Sequence, residues 1–154
     1  MADDRMREGL QLADEGTELM KSGDYPAAAK KLLAAVQINE RDWTTWQHLG
    51  LCLLQLKQPE HAVVAFRNST ALNPGFAQAW NNLGTVLAML NDWDAAANAF
   101  EAGIAADPRY AKNHFGRGNA YLMAGDKDKA RTSFQQALAI DPGYALAHQA
   151  LANL

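Results

Sequence analysis

Four histidines, at positions 48, 61, 114 and 148, and one cysteine, at position 52, have the most obvious chemical potential in this sequence. Histidine and cysteine are common ligands for zinc, which holds each donor atom about 2 Å away. His114 and His148 are 34 residues apart, an interval that recurs along the chain. Equivalent positions in stacked helical hairpins lie about 8–10 Å apart, too far for easy co-ligation of one ion. We therefore predict no metal site and no cofactor, and interpret both histidines as interior substitutes for an aromatic residue.

The residue pattern gives no positive support for catalysis. His48 is expected to face a ligand, but nothing adjacent would orient it as a general base. Cys52 falls on a predicted packing stripe, where burial makes a thiol unreactive. No glycine-rich phosphate loop follows a strand, because no strand is evident. The sequence thus predicts that the protein is not an enzyme.

The composition excludes two classes of partner. The 154 residues are 49% apolar and rich in alanine and leucine, which favours helix. A net charge of −3 argues against nucleic acid, whose recognition needs clustered lysine and arginine. The sequence has no apolar run long enough to span a membrane. The start, Met1-Ala2-Asp3-Asp4-Arg5, is acidic and lacks an apolar core, so we do not expect it to be a secretory signal. The lone Cys52 fits a reducing compartment, so we predict a cytoplasmic protein, although an exported protein without disulfides would look the same.

Three Asx-Pro pairs, Asn73-Pro74, Asp107-Pro108 and Asp141-Pro142, indicate a repeat of 34 residues. In that register the chain divides into repeats 9–42, 43–76, 77–110 and 111–144, followed by a partial repeat at 145–154. Four positions of the repeat, which we call columns, each hold a residue of similar size in every repeat. Position 8 is Gly16, Gly50, Gly84 and Gly118; position 20 is Ala28, Ala62, Ala96 and Ala130; position 24 is Leu32, Phe66, Phe100 and Phe134; position 27 is Ala35, Ser69, Gly103 and Ala137.

The columns predict an all-α fold. Each repeat reads as two helices, at roughly positions 1–14 and 18–31, joined by a short turn. Small residues at positions 8, 20 and 27 allow the helices to approach closely, and the large residue at 24 fills the space beside them. Gly23-Asp24 and Gly125-Asp126 are typical of a helix end followed by a helix start. Pro74, Pro108 and Pro142 should stop the second helices of the second, third and fourth repeats, because proline disfavours the helical conformation just before it.

The same columns resemble the tetratricopeptide repeat family, whose signature is W-x2-L-G-x2-Y, then A-x3-F, then P. The second repeat carries it as Trp46-Leu49-Gly50-Leu53-Ala62-Phe66-Pro74, and the third as Trp80-Leu83-Gly84-Leu87-Ala96-Phe100-Pro108. The fourth departs at His114 and Arg117, and the first at Leu12, Glu15 and Glu40. The resemblance covers Gly9 to Leu154 and implies one domain, a right-handed α-solenoid of helix-turn-helix hairpins.

The first and last segments differ from the middle. Positions 3, 7, 10 and 14 of each first helix should face the preceding repeat, and in the first repeat they are polar: Gln11, Glu15, Glu18 and Ser22. Terminal repeats need such polar faces, so we predict a starting cap over 9–42, after a frayed lead-in of residues 1–8. Residues 145–154 are predicted to be a capping helix that covers the fourth repeat through Ala147, Leu151 and Leu154. Truncation from a longer array and end-to-end contact with another copy are the alternatives.

The fourth repeat has a polar inward stripe, formed by Asn113, Arg117, Ala120 and Ala124. A buried charge without a partner is costly. We therefore expect Arg117 to reach solvent or to pair with an acidic residue of the third repeat.

Side chains not used for packing fall on one face of each first helix. In the family that the sequence resembles, this face lines a concave groove that holds partner peptides. Carried over by position, and with position 12 set aside because it could be partly buried, the candidate groove residues are Gln47, His48, Leu51, Gln55, Gln78, Asn81, Asn82, Thr85, Met89, Lys112, Phe115, Gly116, Asn119 and Met123. Amides suit the main chain of an extended peptide, and Phe115 is a candidate anchor. The alternative is that the amides only keep the surface soluble.

The sequence supports two alternative functions. The first is an adaptor or scaffold that binds a peptide or protein segment in the groove. The second is a structural scaffold that self-associates through its C-terminal end. Family members that hold the acidic C-terminal tail of a chaperone use lysine, asparagine and arginine at positions where this chain has Gln47, Leu51, Asn82, Lys112 and Gly116. We do not expect such a tail to bind, because these residues cannot neutralise two carboxylates.

Overall fold

A computed structural model describes all 154 residues and contains nine α-helices and no strand. The helices are α1 (Ala2–Lys21), α2 (Tyr25–Ile38), α3 (Trp43–Gln55), α4 (Pro59–Leu72), α5 (Ala77–Met89), α6 (Trp93–Ala106), α7 (Ala111–Met123), α8 (Lys127–Ile140) and α9 (Ala145–Ala152). Each of the four repeats forms one hairpin: α1–α2, α3–α4, α5–α6 and α7–α8. The predicted all-α fold is therefore confirmed. The chain divides into an N-terminal unit, Met1–Asn73, and a C-terminal unit, Pro74–Leu154. None of the helices is both long enough and apolar enough to cross a bilayer.

The helix ends follow local side-chain chemistry. Asp24, Asp92 and Asp126 each begin a second helix, and their carboxylates accept hydrogen bonds of 3.1–3.2 Å from the main-chain N–H three residues later. At the other end, the residues before the prolines leave the helical region, as Asn73 does at φ −133° and ψ 77°. The predicted helix stops are therefore confirmed.

All four hairpin turns use a residue with positive φ at position 15 of the repeat. Two are the expected glycines, Gly23 at +86° and Gly125 at +93°. The other two are Lys57 at 59° and Asn91 at 60°. The backbone of the turn is thus fixed by the hairpin, and glycine meets that requirement at only two of the four positions.

The small and large columns pack against each other inside each hairpin. A methyl group on Gly16 would lie 2.7 Å from Cγ of Leu32, and one on Gly84 would lie 2.7 Å from Cε1 of Phe100. Leu32 is fully buried and Phe100 nearly so. The steric demand inferred from the sequence is therefore confirmed, since any side chain at these glycines would displace the core residue opposite.

The first helix extends further than the sequence predicted. Residues 2–8 do not fray but continue α1, whose first turn carries Asp3 and Asp4, both favourable at a helix N-terminus. Gly9 is buried against Ile38 of α2, which anchors this end of α1. The polar stripe that follows is largely exposed, and Glu15 forms an ion pair of 2.7 Å with Lys31.

The polar stripe of the fourth repeat finds partners within the C-terminal unit, except for the buried Oδ1 of Asn113, which has no hydrogen-bond partner. Asn113 is fully buried, and its Nδ2 donates to the carbonyl oxygen of Ala77 at 3.2 Å. Arg117 pairs with Glu101 of the third repeat at 3.9 Å, and its Nε donates to Oγ of Ser133 at 3.1 Å. The acidic partner expected for Arg117 is therefore present.

Candidate functional site

The two histidines at position 4 of their repeats are structural. His114 and His148 each place Nε2 within 2.7–2.8 Å of a main-chain carbonyl six residues earlier, that of Pro108 or Pro142. Trp80 makes the same contact through Nε1 to the carbonyl of Pro74, at 2.8 Å. A carbonyl oxygen only accepts, so Nε2 carries the proton in both histidines. Each imidazole therefore replaces the indole N–H. The prediction of an interior aromatic substitute is confirmed for His114, which is buried, but it is wrong for His148, which is exposed. No group of three or more potential ligands is placed to hold a metal ion.

Cys52 lies in the core of the N-terminal unit. Its side chain is fully buried, and this burial raises the pKa of the thiol to about 11. At neutral pH the thiol is therefore protonated, which is the unreactive form.

In the N-terminal unit, the candidate groove residue His48 is held by α1. Its Nδ1 lies 3.1 Å from Oγ1 of Thr17, and that hydroxyl donates its proton to the carbonyl oxygen of Ala13 at 2.8 Å. Nδ1 of His48 must therefore be the donor, which leaves Nε2 as an acceptor. Burial is the main cause that lowers the pKa of His48, so the neutral ring is favoured.

Gln47 is less accessible than its place in the repeat suggested. Its exposed fraction is 6%, and its Oε1 has no hydrogen-bond partner. The reason is that α3 packs against α1 here, where the next residue, His48, reaches Thr17. Gln47 therefore lies beneath the surface, whereas Leu51 is half-buried and Gln55 is exposed.

In the C-terminal unit, a cleft of about 290 Å³ opens between α5 and α7. It is lined by Asn81, Thr85, Ala88, Phe100, Lys112, Phe115, Gly116, Asn119 and Tyr144. The missing side chain at Gly116 is what opens the floor, because any Cβ there would collide with the Phe100 ring. The cleft therefore has an aromatic floor and a largely polar rim.

The rim of this cleft carries unused hydrogen-bonding groups. The side-chain amides of Asn81 and Asn119 form no hydrogen bond within the protein, and Lys112 forms no ion pair. Thr85 donates to the carbonyl of Asn81 at 2.8 Å, which leaves its oxygen able to accept. Two amides, one hydroxyl oxygen and one ammonium group are therefore available to a ligand.

Phe115 is a wall of the cleft and is not a free anchor. Its ring centroid lies 5.6 Å from that of Phe134 and 5.1 Å from that of Tyr144, both in tilted contact. Truncation of Phe115 would therefore disturb the core as well as the cleft.

The cleft unites six of the candidate residues, and four others of the C-terminal unit do not line it. Gln78, Met89 and Met123 are exposed and Asn82 is half-buried. Sequence reasoning missed Phe100 and Tyr144, and set Ala88 aside because its position could be buried. The only sequence signal for Phe100 was Gly116, which stands where the second and third repeats have His48 and Asn82.

Comparisons with known proteins give one consistent result. A family model described as tetratricopeptide repeat matches residues 13–67 and 90–145, and a second model with that description matches 65–97. A crystal structure of MamA is 23% identical with a TM-score of 0.89, over 95% of this chain and 80% of that one. YrrB, described as a TPR protein with an unusual peptide-binding site, is 25% identical with a TM-score of 0.83, over 90% and 71%.

A third structure, PilF of Pseudomonas aeruginosa, is 16% identical with a TM-score of 0.81, over 97% of this chain and 68% of that one. At these identities the likeness to MamA and PilF shows the fold alone. A comparison with curated proteins finds no match.

Proposed function

The chain belongs to the tetratricopeptide repeat family, and on that premise we propose that it is an interaction adaptor that holds an extended segment of another protein against α5 and α7. Proteins of this fold serve as interaction scaffolds, and YrrB is described as having a peptide-binding site. We propose no catalytic role and no cofactor, and a reducing, cytoplasmic location that suits the free thiol of Cys52.

The observation that carries this proposal is the cleft opened by Gly116. The free amides of Asn81 and Asn119 can pair with the N–H and C=O groups that an extended peptide leaves exposed. An apolar side chain of that peptide enters the cleft and contacts the edge of Phe100, where it leaves water. Lys112 is the only formal charge in the lining, so the segment carries an acidic residue next to the apolar one.

The surface around His48 adds a second, smaller contact in the N-terminal unit. Its Nε2 is an acceptor for a main-chain N–H, and the exposed amide of Gln55 lies on the same helix. We propose this contact as separate from the one at the Gly116 cleft, made with other atoms of the partner.

The test uses peptides selected from a random display library on the wild-type protein. Their affinity is then measured for Asn81→Ala/Asn119→Ala, which removes both amides without breaking any internal hydrogen bond. Two lost hydrogen bonds of about 1 kcal/mol each predict a loss of at least about tenfold. The matched control is Asn98→Ala, an exposed asparagine of α6 that does not line the cleft. Equal affinities for the double variant and the control would overturn the proposal.

Self-assembly through the C-terminal end is the second candidate, because the side chain of Leu146 on α9 is 54% exposed. Sedimentation equilibrium over a range of concentrations tests it. A monomer at every concentration rejects this function. Association that Leu146→Asp abolishes supports it.

A further inference from the structure

The N-terminal unit contains a second groove, on the side formed by the second helices. It has a volume of about 520 Å³ and is lined by Pro26, Ala29, Lys30, Leu33, Leu49, Leu53, Leu56, Gln58 and His61. These residues come from α2, from α3 and from the start of α4, and we call this the α2–α4 groove. The leucines of α3 form its floor, and the side chain of Leu33 remains 48% exposed at its edge. We propose that this groove binds an amphipathic helix of another protein, with acidic residues beside its apolar stripe.

The equivalent furrow in the C-terminal unit carries polar side chains where the α2–α4 groove carries leucines. There Arg117 and Tyr121 stand where Leu49 and Leu53 stand in the α2–α4 groove, and Glu101 stands where Leu33 does. The hydroxyl of Tyr121 donates to Glu101 at 2.8 Å, and Arg117 pairs with the same carboxylate. The polar groups of that furrow satisfy one another. The α2–α4 groove has no such internal network and presents leucine to solvent.

The chemistry of the lining selects a helix over an extended peptide. The floor is apolar, and the helices around it have used their own main-chain groups internally. An extended peptide placed there would leave its N–H and C=O groups unpaired against leucine side chains, which is costly. A helix satisfies its own main chain and presents only side chains, so it pays no such penalty.

The length of the groove suits about two helical turns. The α2 wall runs from Pro26 to Leu33, and the floor runs from Leu49 of α3 to Leu56, which directly follows the end of that helix. Each stretch covers eight residues, and the seven steps between its ends correspond to about 10 Å at 1.5 Å per residue. Apolar residues spaced by three and four in the bound helix would meet this floor as one stripe.

The charge at the rim selects acidic flanks. Lys30 and His61 line the groove, Lys57 stands between the lining residues Leu56 and Gln58, and no carboxylate is among the lining residues. None of these three basic side chains forms an ion pair or hydrogen bond within the protein. Glutamate or aspartate beside the apolar stripe would supply the missing partners.

The test uses three labelled synthetic peptides of about 18 residues, each with leucines at helical spacing. The first has glutamates beside the stripe, the second has lysines there, and the third is the first with a central proline. By fluorescence anisotropy we expect the glutamate peptide to bind. The lysine and proline peptides should bind at least about tenfold more weakly.

Three variants locate the binding. Leu33→Glu should weaken the glutamate peptide at least about tenfold, and Lys30→Glu should weaken it while improving the lysine peptide. The matched control is Val64→Glu, because Val64 on α4 is 57% exposed and does not line the groove. Circular dichroism of each variant checks the fold.

Several results would overturn the proposal. These are no binding of the glutamate peptide, equal loss in Leu33→Glu and Val64→Glu, or no discrimination against the proline peptide. Concentration-dependent self-association that Leu33→Glu abolishes would also overturn it, since the occupant would then be a second copy. The proposal is independent of the cleft at Gly116, so binding should survive Asn81→Ala/Asn119→Ala.

Discussion

Nε2 of His114 lies 2.8 Å from the carbonyl oxygen of Pro108, the same contact that Trp80 makes with the carbonyl of Pro74. The ring N–H ties the first turn of α7 to the bend that precedes it. The other ring nitrogen, Nδ1, is buried and has no partner. Imidazole therefore supplies the required donor and also carries an unsatisfied acceptor that indole lacks.

This contact predicts an order of stability among variants at position 114. His114→Trp keeps the donor, whereas His114→Phe leaves the Pro108 carbonyl without it. We expect the Phe variant to be less stable than the Trp variant by about 1 kcal/mol. Denaturant unfolding of both variants measures the difference, and equal midpoints with equal slopes would contradict a role for this hydrogen bond.

Lys57 adopts φ 59° at the turn between α3 and α4, where Gly23 and Gly125 stand in other hairpins. A left-handed conformation costs an L-residue about 1–2 kcal/mol, part of which glycine regains. We expect Lys57→Gly to raise the free energy of unfolding by about 1 kcal/mol. Gly23→Ala is the opposite control, because a methyl group there meets nothing within 4 Å and only the backbone is strained. Gly23→Ala should therefore lower the free energy of unfolding. If neither variant changed that free energy, the expected cost of the left-handed backbone at these two turns would be disproved.

The lowered pKa of His48 predicts acid sensitivity of the N-terminal unit. Because the folded-state pKa lies below the unfolded value of about 6.5, the unfolded chain binds more protons in acid. The stabilising contribution is therefore complete above about pH 6.5 and is lost as the pH falls towards the folded pKa. Urea unfolding at neutral and mildly acidic pH should show a smaller drop for His48→Gln than for the wild type. The other three histidines are the same in both proteins. Equal losses of stability in acid would therefore refute His48 as the cause.

The fourth repeat should open more readily than the second and third. The inward face of α7 buries Asn113 and Ala120, whereas α5 buries Leu83 and Val86. Less apolar area leaves water on folding, so less free energy opposes local opening. We expect faster hydrogen exchange across residues 111–154 than across 43–110, measured by mass spectrometry of peptic peptides. Uniform protection along the chain is the result that would refute this prediction.

The cleft at Gly116 could be predicted only in part. The repeat register assigned Asn81, Thr85 and Asn119 to one face, and the structure places all three around one cleft. The register could not assign Tyr144 to this face, because it precedes α9; in the structure it lines the cleft and contacts Phe115. It also placed Gln47 on the surface, where the approach of α1 covers it.

The sequence by itself determined the helices, their turns and the pairing inside each hairpin. These features depend on residues close together in the chain: a carboxylate caps an N–H three residues on, and Gly84 makes room for Phe100 sixteen residues later. Their geometry follows from the helix itself and repeats every 34 residues. Tertiary structure alone decided which side chains meet between one hairpin and the next. The cleft below Gly116 and the open leucines of the α2–α4 groove depend on the distances between helices from different repeats, which no spacing in the chain encodes.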